Sequence, residues 1–107
     1  MAAPKTKRAA EDPVSVDSKH YKVEFENERV RVLRVNYAGH EKSVMHGHPA
    51  SVAVFLTSNR VKFNLPDGNS EERSWHSGES MFISEEEHLP ENLTGERVEV
   101  VLIELKS

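Results

Sequence analysis

From Tyr21 onward the apolar residues of this chain recur at every second position: Tyr21, Val23 and Phe25 alternate with Lys22, Glu24 and Glu26, and Val30 and Val32 with Arg29 and Arg31. A period of two is the signature of a strand with one buried face. Val35 and Tyr37 continue the pattern past Leu33, where two apolar neighbours predict burial on both sides or a change of phase. The run turns at Gly39. Val52 to Leu56 is apolar on both faces, while Val61, Phe63 and Leu65 alternate with Lys62 and Asn64 before the turn residues Pro66, Asp67, Gly68 and Asn69. Glu71 to Trp75 reads as extended but polar, Met81 to Ile83 as short and apolar after Gly78, and Val98 to Leu105 as a closing apolar strand. No stretch sustains a helical period. Short strands separated by turns predict an all-β sandwich or barrel, without fixing the strand order.

The two-sided apolar run has a further consequence. A small barrel needs only one face of a strand inside, so the second face of Val52 to Leu56 predicts a homodimer. Ala53 and Phe55 share one parity and Val52, Val54 and Leu56 the other. The expectation is Phe55 in the interface and Val54 in the core.

At 107 residues the chain has room for one domain. Residues 18–107 are expected to form it, and residues 1–17, with Pro4, Lys5, Lys7, Arg8 and Pro13 among scattered alanines, to form a flexible N-terminal tail. This segment lacks the apolar core of a secretory signal, which makes the cytoplasm the expected location. No apolar run approaches the roughly 20 residues that span a bilayer, so no membrane role is expected. A formal charge of −4 gives no electrostatic footprint for a polyanion, so nucleic acid is not an expected partner. The absence of cysteine removes disulfides, a thiolate nucleophile and Cys-rich zinc modules. Imidazole and oxygen ligands remain.

His46 and His48 flank Gly47, so on a strand both rings project from the same face, and Pro49 biases His48 toward extended backbone. Neutral imidazole is the commonest metal ligand. In a chain with six histidines the spacing alone does not decide between ligation and ordinary placement. His20, His40 and His76 lack a matching partner, and Trp75 reads as core before substrate platform.

The stretch from Gly39 through His46-Gly47-His48-Pro49 resembles the first motif of the cupin family, a glycine followed at short distance by His-x-His. Gly78, then Ser84 to His88 and Asn92, is similar to the second motif, with its turn, histidine and asparagine four residues later. The resemblance covers about Tyr21 to Lys106. It implies a double-stranded β-helix, a jelly-roll-like barrel, with His46, His48 and His88 holding one divalent transition metal such as Fe, Mn, Ni or Zn. Asn92 is expected to fix a turn.

Two departures stand out. The glutamate that follows the second histidine of the first motif by four or five residues is replaced by Val52 and Ala53, and no acidic residue lies between Pro49 and Pro66. The turn before His88 carries Ser84 and Glu86 where proline and glycine are usual. Either the site is an open three-histidine centre, as in some members of the family, or only the barrel survives. Glu99 and Glu104 lie on opposite parities of the last strand, and a solvated strand end is preferred for both. Glu85 to Glu87 read as an exposed acidic turn.

Two functions follow. Three neutral ligands leave a dipositive charge uncompensated and positions open to a chelating, oxygen-rich metabolite, as in isomerase, lyase or dioxygenase chemistry. The alternative is a non-catalytic module that binds a small molecule over a degenerate metal site. No residue emerges as catalytic.

Overall fold

The structure is a computed structural model and describes residues 11–106. One short helix, α1 (Pro13–Val16), precedes nine strands: β1 (Tyr21–Glu26), β2 (Val30–Tyr37), β3 (His46–His48), β4 (Ser51–Phe55), β5 (Asn59–Asn64), β6 (Ser70–Trp75), β7 (Ser80–Ile83), β8 (Glu86–Asn92) and β9 (Val98–Leu105). The all-β expectation holds. The strands form a five-stranded sheet in the order β1-β2-β9-β4-β7 and a four-stranded sheet in the order β3-β8-β5-β6. Every strand pair is antiparallel.

Alternation sets which face is buried. On the larger sheet Leu33, Val35, Tyr37, Ala53, Phe55, Val98, Val100 and Leu102 point inward, and on the smaller sheet Val61 and Trp75 meet them in one core. Layered sheets of this kind close a barrel around the alternate inward side chains.

The parity expected for β4 is reversed. Ser51, Ala53 and Phe55 are buried and Val52 and Val54 are half-buried, so Phe55 belongs to the core and Val54 to the outside. Cross-strand partners decide this: Ala53 lies opposite Leu102 and Phe55 opposite Val100, both inward residues of β9.

Residues 1–10 of the expected tail lie outside the described residues. Residues 11–17 pack against the barrel, contrary to the expected tail. Asp12 caps α1, its Oδ1 accepting from the Val14 N–H at 3.1 Å, and Pro13 stands buried in the first turn. The Glu11 carbonyl accepts from the Gly47 N–H at 2.9 Å, between the two motif histidines. The Asp-Pro pair is a helix-start signal that the scattered charges around it obscure.

Asn92 has the turn-fixing role expected of it. Its Nδ2 donates to the Ala38 carbonyl at 3.0 Å and the Glu96 carbonyl at 2.7 Å, and its Oδ1 accepts from the Thr94 N–H at 2.9 Å. Beneath this clasp Gly39 touches Gly95, where a Cβ on Gly39 would stand 2.5 Å from the Gly95 carbonyl oxygen.

Candidate metal centre

β3 and β8 are neighbours, with His46 directly opposite His88 and His48 opposite Glu86. Residues two apart on a strand share a face, so this register gathers three imidazoles on the inside of the barrel. One nitrogen from each of His46, His48 and His88 lies within 4.8 Å of the others, and all three residues are buried. The structure thus brings together the three histidines that the sequence singled out, where they could hold a metal ion.

The other ring nitrogen of each histidine is committed elsewhere. His46 Nδ1 donates to the Val44 carbonyl at 2.8 Å, His48 Nδ1 to Glu104 Oε2 at 2.8 Å and His88 Nδ1 to Glu86 Oε2 at 2.5 Å. Carbonyls and carboxylates only accept, so each Nδ1 carries the hydrogen and each Nε2 keeps its lone pair. His46 Nε2 is buried without any partner. Three oriented lone pairs around a common point, one of them orphaned, fit a divalent ion.

Burial, then the neighbouring His48 and His88, pushes the His46 imidazole down to about 3. Burial likewise lowers His88, against the pull of Glu86. Both rings are therefore neutral near pH 7, the form that ligates a metal. Burial acts to raise the Glu86 carboxyl, but bonds from His88 and Arg73 outweigh it and hold Glu86 down at about 2.

Two carboxylates that the sequence reading sent to solvent are part of this centre. Glu104 is buried at 3% exposure and is shared between His48 and Arg31, whose Nε donates to Oε1 at 2.8 Å. Arg31 stands opposite Glu104 on β2, and its other end grips Asp12 at 2.9 and 3.0 Å. Glu86 is shared between His88 and Arg73, which also binds Glu71 and lies over the Phe63 ring at 4.4 Å. The sequence signal for Glu104 was its common parity with Val98, Val100 and Leu102; for Glu86 it was its place two residues before His88. Two carboxylates thus stand directly against the rings, Glu104 on His48 and Glu86 on His88, and each is itself paired with a guanidinium, Arg31 or Arg73.

Of the other histidines, His76 is exposed. His20 is buried, stacked on Tyr37 at 4.2 Å, with its nitrogens facing Asp17 at 2.7 Å and Glu41 at 3.0 Å. Asp17 also accepts from Ser43 Oγ, which lies 3.2 Å from His46 Nδ1. A cavity of about 90 Å³ opens beside His48 and His88, and Trp75 both lines it and belongs to the core.

A cupin domain from Bordetella pertussis shares 27% identity over 81% of this chain and 92% of its own, with a TM-score of 0.75. An RmlC-like cupin with a double-stranded β-helix fold from Methanocaldococcus jannaschii shares 16% identity over 84% of each chain, with a TM-score of 0.62. A structure of Bacillus subtilis oxalate decarboxylase, described for its Mn(II) centres, shares 16% identity over 74% of this chain and 22% of its own, with a TM-score of 0.57. No protein-family model matches the sequence, and no curated protein matches it.

Proposed function

We propose that this chain, which has the cupin fold, is a metal-dependent small-molecule protein whose His46, His48 and His88 ligate one divalent transition metal. The observation that carries the reading is the shared arrangement of the rings: each Nδ1 is bonded to a fixed acceptor, and the Nε2 atoms are left for one ion. Iron, nickel and zinc suit imidazole with open positions, and the Mn(II) centres of the oxalate decarboxylase structure add manganese to the metals to try. When bound, such an ion polarises a coordinated carbonyl or carboxylate oxygen.

The chain's own residues contribute orientation and exclusion of water. Glu104 and Glu86 hold the tautomers of His48 and His88, and Arg31 and Arg73 hold the carboxylates. The hydrocarbon wall of the cavity keeps the reacting oxygens dry. A second copy of the chain is the proposed partner, docked on the outer face of the larger sheet.

A non-catalytic binding module is the second reading. It is favoured by the absence, among the described residues of the cavity wall, of a carboxylate free to move a proton: Glu86 there is already bonded to Arg73 and His88, and Glu104 behind His48 is likewise bonded to Arg31. The test incubates the iron-, manganese-, nickel- and zinc-loaded chain with pooled hydroxy acids, oxo acids and diketones, following substrate loss and oxygen uptake. Turnover that disappears in His88→Ala supports the enzyme. Saturable binding without turnover by any metal form overturns it in favour of the module.

A further inference from the structure

The cavity beside the imidazoles has a wall of hydrocarbon. Phe55 and Trp75 stack at 4.2 Å, and Val61, Val100 and Leu102 complete the surface. Strand register sets the direction: Asn64 pairs with Leu89 next to His88, whereas Asn59 at the other end of β5 pairs with Trp75. The imidazoles and the stacked aromatics therefore stand at opposite ends.

Polar groups on the same wall are already engaged within the protein. The Tyr21 and Tyr37 hydroxyls bond each other at 2.7 Å, Ser51 Oγ donates to the Pro49 carbonyl at 2.8 Å, and Arg73 binds Glu71 and Glu86. Asn92 is spent on backbone carbonyls. A polyol or sugar acid placed here would surrender its hydrogen bonds to water and find few replacements. The Trp75 Nε1–H also lacks a partner, but it is as buried from the cavity as from solvent and offers an occupant nothing.

We infer that the occupant of this cavity is a small molecule with a bidentate oxygen head, held at the histidine end, and a hydrocarbon body of a few carbons that reaches toward Phe55 and Trp75. This rests on the proposed metal for the head but not for the body. The body is limited by a volume of about 90 Å³. The oxygen-rich metabolite expected from the sequence is thereby narrowed to an apolar chelator.

Trp75 is the only tryptophan in the chain and reports directly on the cavity. The test titrates the zinc-loaded protein with acetohydroxamate, butyrohydroxamate and hexanohydroxamate, and with gluconate, reading Trp75 fluorescence and heat of binding. Affinity should rise by about threefold to fourfold for each added methylene until the cavity is full. Ala53→Leu, which narrows the wall, should end that rise at a shorter chain. The metal-free protein is titrated with 1-hexanol, which has no chelating head. A shift of Trp75 emission by hexanol supports the apolar body even if zinc fails to bind, separating this inference from the metal reading. Equal affinity along the hydroxamate series, or gluconate binding more tightly than hexanohydroxamate, overturns it, as does a Trp75 signal that hexanol leaves unchanged.

Discussion

Glu104 shows how one residue links two sheets to the site. It is an inward residue of β9, but its partners are His48 on the smaller sheet and Arg31 on β2, 73 positions earlier in the chain. Parity along β9 was legible in the sequence; the cation that makes a buried carboxylate tolerable was not, because nothing local ties position 31 to position 104. Glu104→Gln keeps the shape and removes the charge. It should weaken metal binding by about 10–100-fold in competition with a chelator, the usual cost of losing such an outer partner, and unchanged affinity would deny Glu104 an orienting role. Asp12 gives a pH test away from the ligands. A bond from Arg31 holds its carboxyl below the ordinary value of 3.8. A carboxyl depressed by folding stabilises the fold above its unfolded value, and the contribution is lost as pH falls below that value. Asp12→Asn retains the cap, so it should cost about 0.5 kcal/mol at pH 7, shrinking as pH falls below about 4. Urea denaturation at pH 7 and pH 3 measures the difference.

At the scale of elements, period two identified the strands well, since alternating Val, Tyr and Phe describe a half-buried pleat. What it did not give was which face of β4 is inside, because Val52 to Leu56 is apolar on both. The outer face has its own continuity: Phe25, Val32, Ile103, Val52 and Phe82 follow one another across all five strands of the larger sheet. Phe25 and Phe82, at its two ends, are 55% and 62% exposed. A band of this kind suits a second copy, since a two-fold axis lays each end on the other. The proposed dimer predicts a native mass of two chains by light scattering and of one chain for Phe82→Glu, and a native mass of one chain would remove it. Close packing between loops gives a separate prediction. Gly39→Ala drives a methyl group into the Gly95 backbone and should destabilise the fold by about 1–3 kcal/mol in denaturant melts.

Across the whole molecule, the centre exists because two sheets face each other. The smaller sheet supplies three imidazoles and Glu86, and the larger supplies Glu104 and Arg31. The histidines could be read from two short motifs, since His46 and His48 share β3 and His88 lies on β8. Glu86 is two residues from His88, but Glu104 on β9 and the arginines of β2 and β6 that hold the two carboxylates emerge only when the strand order is known. No helix among the described residues is long and apolar enough to cross a membrane. Ligation by the three histidines is read most simply from metal content. The untagged chain, stripped and then exposed in turn to manganese, iron, nickel and zinc, is freed of excess ion and assayed by elemental analysis. About one equivalent per chain is expected for at least one of these metals, retained in His76→Ala and lost in the double variant His46→Ala/His48→Ala. No stoichiometric metal in the native chain, or the same content in the double variant, would contradict it.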